Sequence, residues 1–285
     1  MNGTKRAPRF LSVRGMGAAL TAFAGLIVIY IAFGIIDRTM FSGGNIMNLL
    51  RSMSKYLLIG IGQSYVLITG NIDLSIGSVV GMSAMTSATL MVAGVNPVLA
   101  ILITLLCCLV VGVINGFLVG QFKLPPFIAT LGTMFVARGI AYMVNGNRNT
   151  NAISSGIGKE AAKLSGVSVV STVTKTYLVS AFCAGVVGLI LCAQAGMGNM
   201  EAGNMYEMYG VAAGVIGGVS PLGGTGLLLG TLAGAAVWQT LENGLSIIHA
   251  PVGIQRIVIG IIVVCAVLLD VVFRKGLINR KSIKK

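Results

Sequence analysis

Polar side chains that could do chemistry are concentrated in two segments of this sequence, residues 70–77 and residues 156–166. Outside them, the chain offers few candidates for catalysis, with seven Asp and Glu residues in total and a single histidine, His249. Acid–base or nucleophilic catalysis needs a nucleophile beside a base, or a pair of suitably placed carboxylates. No such constellation is visible, and His249 is interpreted as an interfacial residue near a helix end. We therefore expect a protein that is not an enzyme.

The first segment reads Gly-Asn-Ile-Asp-Leu-Ser-Ile-Gly and places Asn71, Asp73 and Ser75 between two apolar stretches. An ionisable side chain at such a break is costly unless it is solvated or paired, so Asp73 is a candidate functional residue. The alternative is structural: Asp73 caps the following helix by accepting backbone N–H groups near its N-terminus. The two roles are compatible, and the sequence leaves both open.

The second segment, which we call the polar island, covers residues 156–166 and is bracketed by glycines. Its three charged residues fit one exposed side of a short helix, with apolar residues left to pack on the other side. A solvated loop is one interpretation of this pattern. The other is a docking helix through which a soluble partner moves the membrane part. The residues concerned are Lys159, Glu160, Ala161, Ala162, Lys163 and Leu164.

The composition identifies the class of protein. Of 285 residues, 55% are hydrophobic and only 9% are charged, with a mean hydropathy of +0.93. A soluble domain carries about 25% charged residues, so the chain is predicted to be an integral membrane protein. The 40 glycines suit closely packed transmembrane helices, in which small residues let backbones approach.

The net charge of +13 could suggest a nucleic-acid partner, but the distribution of the charge argues against one. Half of the basic residues lie in the two terminal segments, residues 1–14 and 274–285, which flank the first and last apolar runs. This is the positive-inside pattern, and it predicts that both termini are cytoplasmic. The first apolar run is too long for a cleavable signal and lacks a clean cleavage site.

No cofactor or metal is expected. The five cysteines all lie in apolar runs, without CxxC spacing or clustered histidines, and are interpreted as small hydrophobic residues. They are Cys107, Cys108, Cys183, Cys192 and Cys265.

The apolar runs predict an all-α, polytopic transmembrane bundle of about eight or nine spans, forming a single transmembrane domain over residues 1–285. Residues 211–218 are too short to cross a bilayer even when extended back to Tyr206, which predicts a re-entrant half-helix. A turn at 94–97 divides the long uncharged stretch 74–121. The predicted spans are residues 15–36, 56–69 (extendable to Met53), two within 74–121, 126–145, 176–195, 227–245 and 257–273.

Five runs, in order along almost the whole chain, resemble the membrane permease subunits of bacterial sugar ABC importers of the ribose, galactose and xylose type. They are residues 70–77, 124–133 (Leu-Pro-Pro-Phe-Ile-Ala-Thr-Leu-Gly-Thr), 159–166, 216–224 (Ile-Gly-Gly-Val-Ser-Pro-Leu-Gly-Gly) and 243–245 (Asn-Gly-Leu).

The resemblance implies a transport subunit of the bacterial inner membrane that works as a pair with a second permease subunit. It implies two further partners, a periplasmic or lipid-anchored sugar-binding protein and a cytoplasmic ATPase that grips residues 159–163 of the polar island. It also implies a substrate pathway or gate lined by family-motif residues. These are Asn71, Asp73, Ser75, Phe127, Thr130 and Asn243.

Other functions stay open at this stage. A proton- or sodium-coupled carrier, or a channel, would use carboxylates as relays, and Asp73 and Glu242 are the candidates for that role. Relatives of the family also import nucleosides, signalling sugars or branched-chain amino acids. The sequence does not identify the solute.

The chain departs from the family pattern in two places. The family usually has an acidic residue where this sequence has Tyr209. More seriously, the several tens of residues that include one transmembrane helix before the Glu-Ala-Ala run are missing. Five crossings before the polar island would put it on the side opposite the basic termini. We nevertheless expect the island on the same side as the termini, either because residues 126–145 cross incompletely or because the chain after Asn145 runs back.

Overall fold

A computed structural model of the chain describes residues 16–150 and 172–262, together with residues 264, 265 and 268. All regular secondary structure in these residues is helical, which confirms the all-α prediction. A 3-10 turn, Arg38–Phe41, follows the first helix. The helices are α1 Met16–Ile36, α2 Gly43–Ile68, α3 Ile76–Val92, α4 Pro97–Gly120, α5 Pro126–Met143, α6 Thr172–Ala195, α7 Tyr206–Ile216 and α8 Leu228–Ile247, followed by α9, Val252–Ile262.

The helix ends follow local sequence signals. Asn96 caps α4 by accepting the backbone N–H of Val98 at 2.9 Å, and Pro97 occupies the first turn, where a missing N–H costs nothing. Pro126 opens α5 in the same way. After α1, Asp37 accepts the backbone N–H of Thr39 at 2.8 Å. Hydrogen bonds from Thr39 hold the pKa of Asp37 below its ordinary value.

Four of the described helices, α1, α4, α5 and α6, are long and apolar enough to cross a membrane. Two others, α2 with 26 residues and α8 with 20, have the length but are more polar. The half-helix predicted near residues 206–218 is confirmed as α7, which has only 11 residues and spans about 16 Å.

The predicted first residue of α2 was wrong. We expected a span from Tyr56, extendable to Met53, with a Gly-Gly turn before it, but the helix begins at Gly43. Arg51 and Lys55 therefore lie inside the helix. Both have long side chains that lose little rotamer freedom in a helix, so two charges did not end it.

The chain divides into two compact units, each discontinuous in sequence. Unit 1 comprises residues 1–57, 212–220 and 225–285, and unit 2 comprises residues 58–211 and 221–224. In unit 1, α1 and α8 run in the same direction. Gly244 near the end of α8 packs on Phe33 near the end of α1, and Gly218, just after α7, packs on Ala18 near the start of α1.

Unit 2 is built around α3, whose residues are mostly buried. Glycines bring the helices close to one another: Gly188 of α6 lies against Val80 and Ser83 of α3, and Gly116 of α4 lies against Thr174 of α6. A side chain at either glycine would collide with its neighbour, as expected where small residues set the distance between membrane helices.

Helices α5 and α6 run in the same direction within unit 2. Helix α4 is antiparallel to α6, because its end packs on the start of α6 and its middle on the middle of α6. A short turn then sends α5 back from the end of α4. Just beyond α5, Thr150 bonds to Gly198 just beyond α6: its N–H donates to the glycine carbonyl at 3.1 Å and its hydroxyl accepts the glycine N–H at 2.6 Å. Residues 151–171 connect these helices and lie outside the described residues.

Candidate functional site

The carboxylate of Asp73 lies at the centre of a buried polar network in unit 2. The residue is 2% exposed and precedes α3. One carboxylate oxygen accepts the backbone N–H of Ser75 at 2.9 Å and its hydroxyl at 2.6 Å. The other accepts the hydroxyl of Ser180 on α6 at 2.7 Å. Both carboxylate oxygens of Asp73 are therefore paired within the protein.

The network continues across two more helices. The side-chain amide of Asn115 on α4 donates to the Ser75 hydroxyl at 2.9 Å, and the Thr133 hydroxyl of α5 donates to the Asn115 carbonyl at 2.6 Å. Each hydrogen bond along the series Thr133, Asn115, Ser75 and Asp73 is therefore donated towards Asp73. A fully paired network of this kind fixes the relative positions of α3, α4, α5 and α6.

The prediction that Asp73 caps α3 needs correction. The residue in the N-cap position is Ser75, and its side chain makes no capping hydrogen bond. Asp73 stands two residues earlier and accepts the Ser75 N–H, which forms a turn before the helix. Its second oxygen is used for a contact to α6, which a local cap would not need.

Arg138 of α5 forms a second polar cluster in unit 2. Its guanidinium donates to the backbone carbonyls of Met200 at 2.8 Å, Ala202 at 3.0 Å and Gly77 at 3.3 Å. Arg138 therefore faces the protein interior and ties the loop between α6 and α7 to the first turn of α3. Nearby, Tyr142 donates to the Glu201 carboxylate at 2.6 Å.

The other residues proposed from sequence lie in varied places. Asn71 bonds locally to the Thr69 hydroxyl at 2.8 Å. The Thr130 hydroxyl donates to the Pro126 carbonyl within α5 at 2.8 Å, and the Phe127 ring is 56% exposed. Asn243 belongs to unit 1. The coupling residues Lys159, Glu160, Ala161, Ala162 and Lys163 lie outside the described residues.

Sequence reasoning did not select Asn115, Thr133 or Ser180. Asn115 and Ser180 lie outside the five runs that resemble the family, and Thr133 ends the run 124–133 without differing in type from Thr130 in the same run. Ser180 lies in the middle of the run 176–195, and only its helical neighbours decide that its hydroxyl meets Asp73. Arg138 could be recognised from the sequence as a candidate, because a charged residue within an apolar run is rare and usually faces the interior of the helix bundle.

Neither network is built for covalent chemistry. No group of three or more His, Cys, Asp and Glu side chains that could hold a metal occurs in the described part of the chain. The networks contain hydroxyls, amides, the carboxylates of Asp73 and Glu201 and the guanidinium of Arg138, which bind by hydrogen bonding and position helices.

Comparison with known proteins gives the family. The family model described as the permease component of the branched-chain amino acid transport system matches residues 45–158 and 151–267. The chain belongs to this permease family. The two matches overlap at residues 151–158. No solved structure matches the chain significantly.

Several curated relatives of the permease are sugar importers. It is 33% identical to the ribose import permease of Bacillus subtilis over 303 residues, which cover 90% of this chain and 94% of the relative. It is 30% identical to the D-allose transport permease of Escherichia coli, with 86% and 89% covered. The autoinducer 2 import permease of Yersinia pseudotuberculosis is 27% identical, with 88% and 84% covered.

These relatives are transport permeases, so the chain is a transport subunit of an ABC importer and a multi-pass inner-membrane protein. The alignment with the B. subtilis permease spans more positions than this chain supplies. The relative therefore carries several tens of residues that this permease lacks, which agrees with the missing helix.

Replacing Asp73 by asparagine is expected to be mild. Asparagine can keep its carbonyl where both Ser75 donors converge and turn its NH₂ towards Ser180, whose hydroxyl can accept. The expected cost is about 1 kcal/mol of unfolding free energy. Leucine would leave the buried Ser75 and Ser180 donors unpaired, at about 2–5 kcal/mol in total. Thermal unfolding in detergent measures both.

The same two variants separate structure from transport. Solute uptake per inserted molecule should stay near the wild-type rate for Asp73→Asn if the carboxylate mainly positions helices. An asparagine variant that is inserted normally yet transports poorly would show instead that the charge itself acts in substrate handling.

Proposed function

We propose that this permease forms the translocation pathway for a monosaccharide of the ribose or allose type. The observation that carries this is the identity of 30–33% to ribose and allose permeases over most of both chains. In this proposal a cytoplasmic ATPase supplies the energy, a binding protein delivers the sugar from outside, and a second permease subunit completes the pathway.

The polar network around Asp73 supports a role in alternating access. Four helices of unit 2 meet at it, and each contributes a hydrogen-bonding group rather than an apolar contact. In this proposal the network holds one packing of the four helices together, and transport exchanges these hydrogen bonds for others in a second discrete packing. We assign Asp73 and Ser75 to gating, with Asn115 and Ser180 as their positioning partners.

Uptake into proteoliposomes tests the proposed function. The permease would be reconstituted with its ATPase and binding protein, and D-ribose, D-allose and L-leucine would be compared. We expect saturable uptake of ribose or allose that requires ATP and the binding protein. Uptake of leucine alone would assign the chain to amino-acid import instead, and uptake without ATP would indicate a secondary carrier.

The parallel α5 and α6 support a cytoplasmic polar island. The start of α6 lies at the end of unit 2 where α5 starts, because the end of α4 packs against it, and five residues separate the island from α6 in the sequence. If α5 crosses outwards, as in a bundle with a cytoplasmic N-terminus, the island lies on the cytoplasmic side with both termini. The Lys residues at 159, 163 and 175 favour the same side.

Cysteine labelling measures the side directly. In a variant without the five native cysteines, Ser165→Cys should react with an impermeant maleimide only from the cytoplasmic side, as should reference cysteines near Met1 and Lys285. Labelling of Ser165→Cys from the periplasm alone would contradict the proposed placement of the island.

A further inference from the structure

Unit 1 contains a polar cavity that is separate from the Asp73 network. Its volume is about 380 Å³, within the range of about 300–1,000 Å³ that is usual for small-molecule sites. Eight residues line it, and every one carries a polar or charged side chain. They come from the first half of α2, the second half of α8 and the start of α9.

Helical spacing brings these side chains to one place. Gln239, Glu242, Asn243 and Ser246 stand at positions i, i+3, i+4 and i+7 of α8, which lie on one face of a helix. Lys55 and its neighbours Ser52 and Tyr56 stand at i, i+3 and i+4 of α2 in the same way. The cavity is therefore where two polar helix faces meet.

Side-chain hydrogen bonds hold the two faces in register. The Tyr56 hydroxyl donates to the Glu242 carboxylate at 2.7 Å. Asn45 of α2 and Asn243 exchange amide hydrogen bonds, each 3.0 Å long. Lys55 and Glu242 attract each other electrostatically. Such mutual contacts pre-organise the walls, so a ligand would bind without first ordering them.

Gln239 provides the feature that points to a ligand. The residue is 5% exposed and lines the cavity, yet its buried amide oxygen accepts no hydrogen bond from the described residues. A buried acceptor without a partner costs about 1–3 kcal/mol. Rotation of the side-chain amide towards the cavity would let a ligand hydroxyl supply the missing donor and recover that energy.

We propose that this cavity binds a neutral, polyhydroxylated solute of pentose or hexose size during import. The inference rests on the proposed function and adds the residues that would hold the sugar. The Gln239 carbonyl and the Glu242 carboxylate accept from hydroxyls, the Ser246 hydroxyl donates or accepts, and the Lys55 ammonium donates. One positive and one negative side chain give no net charge to select an ion.

The lining also discriminates against the substrate named in the family description. A branched-chain amino acid would bury an aliphatic side chain, which needs apolar surface, but no aliphatic residue is among the eight lining residues. Burying such a group against amides and charges would leave those polar groups unpaired. The cavity therefore favours a sugar over leucine.

The only tryptophan of the chain, Trp238, adjoins Gln239 and reports binding. We would titrate the purified full-length chain in detergent with D-ribose, D-allose and L-leucine and follow tryptophan fluorescence. A saturable response to ribose or allose, and none to leucine, is expected. No saturable response to either sugar up to 100 mM, or an equal response to leucine, would overturn the assignment.

Two variants test whether the fluorescence response comes from binding in this cavity. Gln239→Leu should raise the sugar Kd about three- to tenfold, since one hydrogen bond of ordinary strength is lost. The matched control is Thr240→Val on the same helix. It removes a buried hydroxyl that lies outside the cavity lining and has no hydrogen-bond partner in the described part of the chain. Its Kd should equal that of the wild type, and an equal rise in both variants would refute the site.

A second variant covers the case in which Gln239→Leu does not fold. Ser246 is exposed, so Ser246→Ala is expected to fold normally and to raise the Kd about two- to fivefold. An unchanged Kd in Ser246→Ala, with Gln239→Leu unrecoverable, would count against the site.

Transport data separate this inference from the proposed function. Normal sugar uptake by Gln239→Leu with an unchanged KM would reject the site and leave the proposed function intact. A wild-type importer that moves neither ribose nor allose would reject the proposed function itself.

Discussion

Replacement of Glu160 by lysine is expected to abolish binding-protein-stimulated ATP hydrolysis and solute uptake while the permease remains inserted. The polar island is a charged segment in a chain with only 9% charged residues, and its run 159–163 is the contact that we propose for the ATPase. Reversing the charge at a docking contact replaces an attraction by a repulsion of several kcal/mol. We expect at least a hundredfold loss of stimulated hydrolysis in proteoliposomes containing the ATPase.

Glu160→Gln serves as the matched variant, because it keeps the shape of the side chain and removes only the charge. It should retain part of the stimulated activity. Membrane abundance, measured for both variants, shows whether insertion is unaffected. Wild-type uptake by Glu160→Lys at normal abundance would exclude a docking role for the island.

The second large effect is expected for Gly230→Val, which should prevent unit 1 from packing. Gly230 of α8 lies against the backbone of Gly217 at the end of α7, and Gly234 lies against Ala213 in the same contact. A side chain at Gly230 would collide with the Gly217 carbonyl, and a backbone cannot move aside as a flexible side chain can. Overpacking costs about 1–3 kcal/mol where neighbours can yield and more where they cannot.

Since folded proteins have only about 5–15 kcal/mol of stability, we expect a large fall in the yield of folded Gly230→Val permease. Gly25→Val in α1 is the control, because no atom of the described residues lies within 4 Å of a Cβ added at Gly25. Size-exclusion profiles and melting temperatures in detergent measure both. Equal stability of the two variants would show that the α7–α8 contact is not tightly packed.

The amino-acid sequence alone determined the class of this protein and most of its helix boundaries. Long apolar runs cross a bilayer only as helices, since every backbone polar group must be satisfied internally. Asn96 and Pro97 marked the start of α4, and Pro126 marked the start of α5. The start of α2 could not be found in this way, because charged residues such as Lys55 are compatible with both a helix and a loop.

The sequence motifs also indicated a permease without any information on the tertiary structure. They selected Asp73 and Ser75, which the structure places together in one buried network. They did not distinguish Thr133 from the rest of the run 124–133, and Asn115 and Ser180 lie outside the motifs. A lone polar residue in an apolar helix has the same local sequence whether it faces lipid, a neighbouring helix or a carboxylate.

Tertiary structure alone decided which of these residues meet and how the chain runs between them. Asp73 and Ser180 are 107 positions apart, and Tyr56 and Glu242 are 186 positions apart. No local propensity encodes such contacts, which depend on the packing of glycine-lined helices. The parallel direction of α5 and α6 was likewise decided by packing. The length and hydropathy of a span predict that it crosses the membrane, but they do not predict which helix it packs against.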